Sequence, residues 1–299
     1  SFAINKFQRI DSGIDFRLDT KQEITWTDTY DYTENPVSDY SKAFLIPFLQ
    51  YNYDNTLWYE TYPIEGQRLY LKYLNSILNK TNFYSISFDL RGYKSIKNGI
   101  STAIRLFGGH LGGSNVENIA RYRVGGTTYL PFFNKAEYEH YYDIHENDQV
   151  YYNHYIMPLR GAPIGAKYGK NVMLINTEIR FPFLMYYFPT MGFLGKINGI
   201  LFSDIAVIWN NNQFPHFNNI SSWDDLDISN GYNIYENIDY DTDGNNRTMK
   251  PYGWVWSMGF GPRFILLGMP WQLDFAWQYN PIENEFSSSR WYLSIGLDY

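Results

Sequence analysis

The end of the chain alternates between two kinds of side chain, and this alternation restricts the fold more than any other feature. One parity carries large apolar side chains: Trp291, Leu293, Ile295, Leu297 and Tyr299. The other parity is mostly small or polar: Tyr292, Ser294, Gly296 and Asp298. Because successive side chains of a strand point to opposite faces, this pattern predicts a β-strand with one apolar face.

The same period recurs along the chain. Residues 271–280 alternate in the same way, and we predict that they form a hairpin with 291–299. The other alternating segments lie near 2–10, 13–25, 43–54, 66–77, 84–91, 100–106, 170–182, 196–210 and 253–265. Together they predict about eleven strands, most of them near the roughly 9 to 11 residues that a transmembrane strand needs.

The aromatic content bears on whether these strands cross a membrane. Aromatic residues make up 20% of the chain, with 29 Tyr and 9 Trp. Barrels carry aromatic girdles at both membrane interfaces, and no stretch here approaches the roughly 18 apolar residues of a spanning helix. The composition therefore favours an all-β, transmembrane antiparallel barrel with apolar side chains toward lipid and polar ones toward a lumen. A soluble β-sandwich or propeller remains the alternative, with its apolar parity toward a core.

The connections between the predicted strands suggest an orientation. Leu266 to Pro270 and Ser95 to Asn98 are short, whereas 109–169 and 211–251 are long. Barrels have short periplasmic turns and long outer loops, and single-chain bacterial barrels have an even number of strands. We therefore interpret 1–299 as one barrel domain and expect further strands N-terminal to Ser1.

Several motifs resemble the BamA/TamA superfamily, also called the bacterial surface antigen family, of outer-membrane assembly and translocation barrels. They occur in the family's order over roughly 43–299: Tyr53-Asp54-Asn55-Thr56, Tyr62-Pro63-Ile64-Glu65-Gly66-Gln67-Arg68, Asp89-Leu90-Arg91-Gly92-Tyr93, Arg121-Tyr122-Arg123-Val124-Gly125-Gly126, Leu159-Arg160-Gly161-Ala162, Asn176-Thr177-Glu178-Ile179-Arg180-Phe181-Pro182 and Phe202-Ser203-Asp204-Ile205-Ala206-Val207-Ile208-Trp209. The resemblance implies the last eleven of about sixteen strands.

The resemblance also implies a set of site residues. In the family, the long sixth loop folds into the lumen, and the arginine at its tip pairs with acidic side chains of the twelfth and thirteenth strands. The matching residues are Arg160, Gly161, Glu178 and Asp204, which we call the lumen lock. Parity places Glu178 toward the lumen, and an arginine fork suits carboxylates. The alternative is an exposed Arg160, with Glu178 paired to its neighbours, including Arg180. Ala162 departs from the family's aromatic residue.

The resemblance further implies a weakly paired seam, one side of which is the strand Trp291, Leu293, Ile295, Leu297 and Tyr299. The implied function is to assist insertion or passage of proteins at the outer membrane of a Gram-negative bacterium, as a multi-pass barrel. The implied partners are the lipid bilayer, client outer-membrane or secreted proteins and accessory subunits. The alternative function is a scaffold or passive channel that anchors a periplasmic or surface partner.

Other chemistry has weaker support. Asp239, Asp241 and Asp243 have the spacing that begins a calcium-binding loop, but Lys250 stands where the bidentate Glu belongs, so a looser Ca²⁺ site and a solvated acidic loop both remain open. His140 and His145, with Glu137 and Glu139, are better explained as a surface loop than as metal ligands.

Composition and motifs exclude several function classes. The net charge of −7 argues against a nucleic-acid partner, and the absence of Cys excludes thiolate chemistry and Cys-based zinc sites. We find no G-x-S-x-G elbow, P-loop or H-E-x-x-H motif. We therefore expect no enzymatic activity and no resident cofactor, apart from the open question of Ca²⁺.

Overall fold

The computed structural model describes thirteen stretches of the chain, and all structural statements below concern them. They are 1–21, 40–59, 62–77, 83–97, 99–113, 120–126, 133–134, 153–162, 167–184, 197–210, 253–280, 285–287 and 289–296. In this part of the chain the regular elements are strands, and no helix is long and apolar enough to cross a membrane.

The strands are, in chain order, β1 (Phe2–Asn5), β2 (Gln8–Lys21), β3 (Tyr40–Asp54), β4 (Leu57–Tyr59), β5 (Tyr62–Asn75), β6 (Phe83–Ser95), β7 (Ser101–Gly113), β8 (Ala120–Val124), β9 (Phe133–Asn134), β10 (Asn153–Met157), β11 (Lys167–Gly169), β12 (Asn171–Phe181), β13 (Asn198–Trp209), β14 (Gly253–Leu266), β15 (Met269–Asn280), β16 (Glu285–Phe286) and β17 (Arg290–Ile295).

One antiparallel sheet contains the long strands. Its order is β1-β2-β3-β5-β6-β7-β12-β13-β14-β15-β17-β9, with β4 and β16 attached at the side of β5 and β15. The predicted all-β, antiparallel barrel is confirmed. The first predicted segment, 2–10, is divided by a turn in which Asn5 Oδ1 accepts a hydrogen bond from the Phe7 amide (2.8 Å). Asn favours such turns because its side chain replaces a backbone acceptor.

The two faces of the sheet differ as the alternation predicts. On β12 the even-numbered residues are buried, whereas Met173, Ile175 and Ile179 on the other parity are exposed. We call the buried side the lumen face and the other side the outward face. Arg180 on β12 donates from Nη1 to the Pro63 carbonyl on β5 (2.9 Å), across the intervening β6 and β7. A contact that passes over two strands requires the lumen face to be concave.

The ends of the sheet are unlike. One end carries the two-residue turn Leu267–Gly268, with φ values of 54° and 75°. Positive φ at both central residues is the type I′ geometry that joins antiparallel strands tightly. The opposite end carries the long connections between β7 and β12 and between β13 and β14. We call the half of the lumen near the long connections the outer half and the other the inner half.

The outer half of the lumen contains an apolar core. Lumen-facing side chains of the barrel meet side chains of the long loop there: Phe44, Ile46, Leu74, Phe83, Phe107, Leu111, Val172, Leu174, Ala206, Ile208 and Val255 from the barrel, and Tyr122, Val124, Leu159 and Ala162 from the loop. The prediction of a polar lumen face is therefore wrong in the outer half, because the loop fills this half of the lumen with apolar side chains that exclude water.

The loop builds a small sheet of its own. In it β8 pairs with β10 in parallel and with β11 antiparallel, which the sequence analysis did not predict. Tyr122 on β8 shares a hydrogen bond with Ser85 Oγ (2.9 Å). A Cβ added at Gly109 would lie 2.4 Å from Tyr122 Cζ, so glycine is required for this close approach. The strand β7 continues to Gly113, past the predicted loop start at 109.

Candidate functional site: the loop tip in the lumen

Two acidic side chains lie close together because of the register of β12 and β13. Asn176 is opposite Asp204, and Glu178 is opposite Phe202. Glu178 and Asp204 are thus diagonal neighbours on the lumen face, within reach of one long side chain. Both are buried, with 4% and 0% of their surface exposed. A buried pair of carboxylates needs cationic partners, because the cost of removing charge from water is otherwise too large.

The loop tip supplies one of these cations. Arg160 donates from Nε and Nη2 to the two carboxylate oxygens of Asp204, both at 2.8 Å, and from Nη1 to Glu178 Oε1 at 2.7 Å. Its backbone N–H also donates to Asp204 Oδ2 (3.2 Å). The fork geometry of guanidinium permits this two-point contact with Asp204, which a lysine cannot reproduce. The structure thus brings Arg160, Glu178 and Asp204 together.

The backbone around the tip is tightly turned. Leu159 N donates to the Gly126 carbonyl (3.1 Å), and Gly126 N donates to the Ala162 carbonyl (2.8 Å). Gly161 has φ of 88°, which favours glycine, and a Cβ there would lie 3.1 Å from Ser257 Cβ and 3.2 Å from Ala276 Cβ. The Gly-Gly element and the arginine tip are therefore adjacent in space.

A second arginine shares Glu178. Arg180 donates from Nε and Nη2 to Glu178 Oε2 at 2.9 and 2.7 Å. Its guanidinium also lies 5.2 Å from the centre of the Tyr62 ring and 5.8 Å from that of Tyr93. The sequence analysis treated Arg160 and Arg180 as competing partners of Glu178, and in the structure both bind it. The four buried charges, two arginines and two carboxylates, balance.

An aromatic side chain supports the tip from one side. The Arg160 guanidinium lies 3.7 Å from the centre of the Phe202 ring, a cation–π distance. Space for that ring comes from Gly259 on β14, where a Cβ would lie 2.4 Å from Phe202 Cζ. The sequence analysis did not single out Phe202 or Gly259, because their role depends on contacts across strands.

The last strand, β17, also binds the tip. Arg290 Nη1 donates to the Gly161 carbonyl (2.6 Å), and the Tyr292 hydroxyl donates to the Ala162 carbonyl (3.3 Å). Neither residue was predicted as part of the lumen lock. Tyr292 is 1% exposed, so its hydrogen bond to the loop is buried.

The predicted seam residues divide between described and undescribed parts. Trp291, Leu293 and Ile295 lie on the outward parity of β17, whereas Leu297 and Tyr299 lie outside the described residues. Beside β17, the two-residue strand β9 of the long loop pairs with Tyr292 and Leu293. The loop therefore contacts the last strand both at its edge and through the tip.

The inner half of the lumen contains further ion pairs. Asp89 on β6 binds Arg91 and Arg105, each at 2.8 Å from Nη2. Arg263 on β14 binds Asp274 on β15 at 2.9 Å, and both side chains are 3% exposed. The lumen lock is thus part of a belt of paired charges on the inner half of the lumen face.

The structure does not test the predicted metal chemistry in the loops. Asp239, Asp241, Asp243, His140, His145, Glu137 and Glu139 all lie outside the described residues. Within the described ranges, no group of three or more His, Cys, Asp or Glu side chains is placed to hold a metal ion.

Comparison with known proteins supplies a fold. No protein-family model and no curated protein matches the chain. The structure is similar to the crystal structure of BamA from Haemophilus ducreyi lacking POTRA domains 1–3, with a TM-score of 0.60 at 12% sequence identity. The match covers 99% of this chain and 52% of the BamA chain, so this chain spans about half the length of that relative. The chain has the fold of a BamA-like transmembrane β-barrel.

Proposed function

We propose that this chain is part of a barrel in the outer membrane of a Gram-negative bacterium that assists the insertion or passage of other proteins. The observation that carries the proposal is the position of the loop tip. Through Arg160 the tip binds β12 and β13, and through the carbonyls of Gly161 and Ala162 it binds the last strand, β17. The lumen lock therefore connects the wall of the barrel to the strand expected at its seam.

The proposed mechanism uses the edge of β17. A strand edge with unpaired backbone groups can accept another strand by β-augmentation. In the described part of the chain, β15 pairs with β17 on one side, and only the short β9 pairs with it on the other. A client strand would displace β9 and add to β17, while the tip contacts keep β17 in place. No catalysis is required of any residue.

A scaffold that anchors a periplasmic or surface partner is the second candidate. The dense packing of the lumen is compatible with it, since a rigid barrel is a suitable anchor. A passive channel has less support, because buried apolar side chains of the wall and the loop pack together in the outer half of the lumen.

Depletion of the protein in its own bacterium tests the assembly role. The expected result is a fall in the amounts of other outer-membrane barrels, measured by quantitative mass spectrometry of the outer-membrane fraction. Re-expression of the unaltered protein should restore them, and re-expression of an Arg160→Ala variant should restore them incompletely. Unchanged outer-membrane content after depletion would contradict the assembly role and leave the scaffold.

A further inference from the structure

A short hairpin extends from the main sheet at its inner end. It consists of β4 and residues 62–65 of β5, and we call it the inner hairpin. Its two strands pair with each other: Leu57 with Glu65, Trp58 with Pro63 and Tyr59 with Tyr62. The ladder between β5 and β6 begins at the next residue, with Gly66 opposite Tyr93. The inner hairpin is therefore attached to the barrel wall at one end and can lean relative to it.

Gly66 lies at the junction between the inner hairpin and the wall, and the backbone there requires glycine. Its φ of 104° is in the left-handed region. A Cβ at this position would lie 2.7 Å from the Asn55 carbonyl oxygen and 2.8 Å from Thr56 Cα. Both are backbone atoms, so no side-chain rotation relieves the contact. Another residue at position 66 must therefore displace the start of the inner hairpin.

The inner hairpin leans across the lumen face toward β12. Gly66 and Glu178 are the ends of one cross-strand row that passes through β6 and β7, a distance of about 14 Å along the wall at about 4.8 Å per strand. Together with the long side chain of Arg180, the inner hairpin spans this distance. The Pro63 carbonyl accepts a hydrogen bond from Arg180 Nη1 (2.9 Å), and the centre of the Tyr62 ring lies 5.2 Å from the guanidinium. Since Tyr62 and Pro63 are both buried, this end of the inner hairpin is part of the packing of the lumen.

Arg180 connects the inner hairpin to the loop tip. While Nη1 of Arg180 binds the Pro63 carbonyl, its Nε and Nη2 bind Oε2 of Glu178. The other oxygen of Glu178, Oε1, accepts from Arg160 Nη1 (2.7 Å). Because the two oxygens belong to one rigid carboxylate, a movement of Arg180 changes the position of the oxygen that Arg160 binds. The geometry of such charge-assisted contacts is specific, so the tip is sensitive to this change.

The other strand of the inner hairpin is accessible from the inner end of the barrel. All three residues of β4, Leu57, Trp58 and Tyr59, are exposed. The inner hairpin thus has one strand whose first residues contact Arg180 and another that is open to the surroundings. A displacement of β4 can therefore be transmitted to the lumen lock through direct contacts.

We propose that the inner hairpin determines the position of the loop tip, with Arg180 as the positioning residue between them. While the inner hairpin leans into the lumen, the Pro63 carbonyl and the Tyr62 ring hold Arg180, which orients Glu178 toward Arg160. When the inner hairpin is drawn away, Arg180 loses these contacts, Glu178 turns, and the tip loosens. The coupling concerns the tip alone, so it is present whether the barrel assembles other proteins or serves as a scaffold.

Gly66→Ala displaces the inner hairpin and leaves every side chain of the lumen lock in place. Its matched control is Gly268→Ala, in the turn between β14 and β15 at the same end of the sheet. Gly268 also has a positive φ, 75°, but a Cβ there meets nothing within 4 Å. Arg180→Met removes the connecting guanidinium, and the double variant Gly66→Ala/Arg180→Met tests whether the inner hairpin acts through it. Heat-modifiable gel mobility verifies that each variant is folded.

The measurement is hydrogen exchange of the protein in lipid vesicles, followed by mass spectrometry. In Gly66→Ala we expect the amides of 159–162 to exchange about tenfold faster, whereas those of 122–124 on β8, in the apolar outer half, stay as in the unaltered protein. Gly268→Ala should exchange as the unaltered protein does. The double variant should exchange no faster at the tip than Arg180→Met alone, because the connection is already lost in Arg180→Met.

Four results would overturn the proposal. They are unchanged exchange at the tip of folded Gly66→Ala, an equal increase in Gly268→Ala, an equal increase at 122–124, and a double variant in which the two single effects multiply. The third would indicate general destabilisation, and the fourth would mean that the inner hairpin acts on the tip by a route other than Arg180. Since exchange at the tip does not depend on assembly activity, the depletion experiment can fail while this one succeeds.

Discussion

The two halves of the lumen hold the same loop by different means. In the outer half, Tyr122, Val124 and Leu159 of the loop pack against apolar side chains of the barrel wall. In the inner half, the next residue along the chain, Arg160, is held by two carboxylates and an aromatic ring. The two environments therefore meet at the tip, where Leu159 and Ala162 belong to the apolar core and Arg160 belongs to the ion pairs.

The two kinds of contact have different effects on the loop: the apolar contacts stabilise it in the lumen, and the ionic contacts fix the position of its tip. Apolar contacts contribute in proportion to buried area and have little directional preference, so they hold the loop in the lumen without defining its register. The bidentate pair of Arg160 with Asp204 has a fixed geometry and loses most of its benefit if the tip shifts. We expect the outer half to supply most of the free energy of loop docking and the inner half to determine where the tip lies.

The largest expected effect comes from Arg160→Ala, which removes the ionic contacts with Glu178 and Asp204 together with the contact to the Phe202 ring. Glu178 keeps Arg180, but Asp204 loses its arginine while buried, and breaking a buried pair in this way should lower the free energy of unfolding by about 4 kcal/mol. Urea unfolding in lipid vesicles, followed by tryptophan fluorescence, measures the loss, and proteinase K digestion reports the loop. Arg160→Lys keeps the charge without the fork geometry. Its free energy of unfolding should lie between that of Arg160→Ala and that of the unaltered protein. Unaltered stability and unaltered loop protection would contradict the lumen lock.

A change at the neighbouring residue tests the apolar half. Leu159→Ala removes a side chain with no exposed surface from the outer core, and the transfer and cavity costs together should be about 3 kcal/mol. Because the ionic contacts remain, we expect the tip to stay in place and proteinase K to cut the loop no faster than in the unaltered protein at low temperature. Faster cleavage than in Arg160→Ala would mean that apolar packing, and not the ionic contact, positions the tip.

Glu178→Gln tests whether the two arginines need their shared carboxylate. Arg180 would be left buried without a carboxylate, but Arg160 would keep Asp204 and Arg180 would keep the Pro63 carbonyl, so the expected loss is about 3 kcal/mol, less than for Arg160→Ala. Urea unfolding in vesicles again gives the value. Glu285→Gln, at an exposed carboxylate on β16, is the matched control and should leave stability unchanged. A loss equal to that of Arg160→Ala would show that Glu178, rather than Asp204, is the main anchor of the tip.

The smallest effect is expected at the last strand. Tyr292→Phe keeps the ring and removes only the hydroxyl that donates to the Ala162 carbonyl, which should lower the free energy of unfolding by about 1 kcal/mol. Hydrogen exchange of the 159–162 amides provides the local measurement. If exchange at the tip is unchanged while exchange along β17 rises, the hydroxyl supports the strand and not the loop.

The sequence predicts the outward face of this barrel better than its lumen. Lipid requires an apolar side chain at every second position, so residues such as Ile175 and Ile179 reveal their strand locally. The residues that make contacts in the lumen do not recur at a fixed spacing in the sequence. Arg180 binds a carbonyl 117 residues away, and Tyr122 reaches the wall from a loop, so neither contact can be read from local spacing. The motif around Arg160 points to Glu178 and Asp204 by resemblance, but it contains no information about Arg290 or Tyr292.

The tip contacts join residues that are far apart in the sequence, and this separation implies an order of folding. Asp204 lies 44 residues after Arg160, and Arg290 lies 129 residues after Gly161, whose carbonyl it binds. Contacts between distant residues form slowly, because a long chain must be closed before they contribute any free energy. Part of the apolar core can form earlier, because Phe107 and Tyr122, whose rings are in contact, are close in the sequence. The tip contacts are complete only when β17 has joined the sheet. Their formation therefore indicates that the strands of the barrel wall are in place.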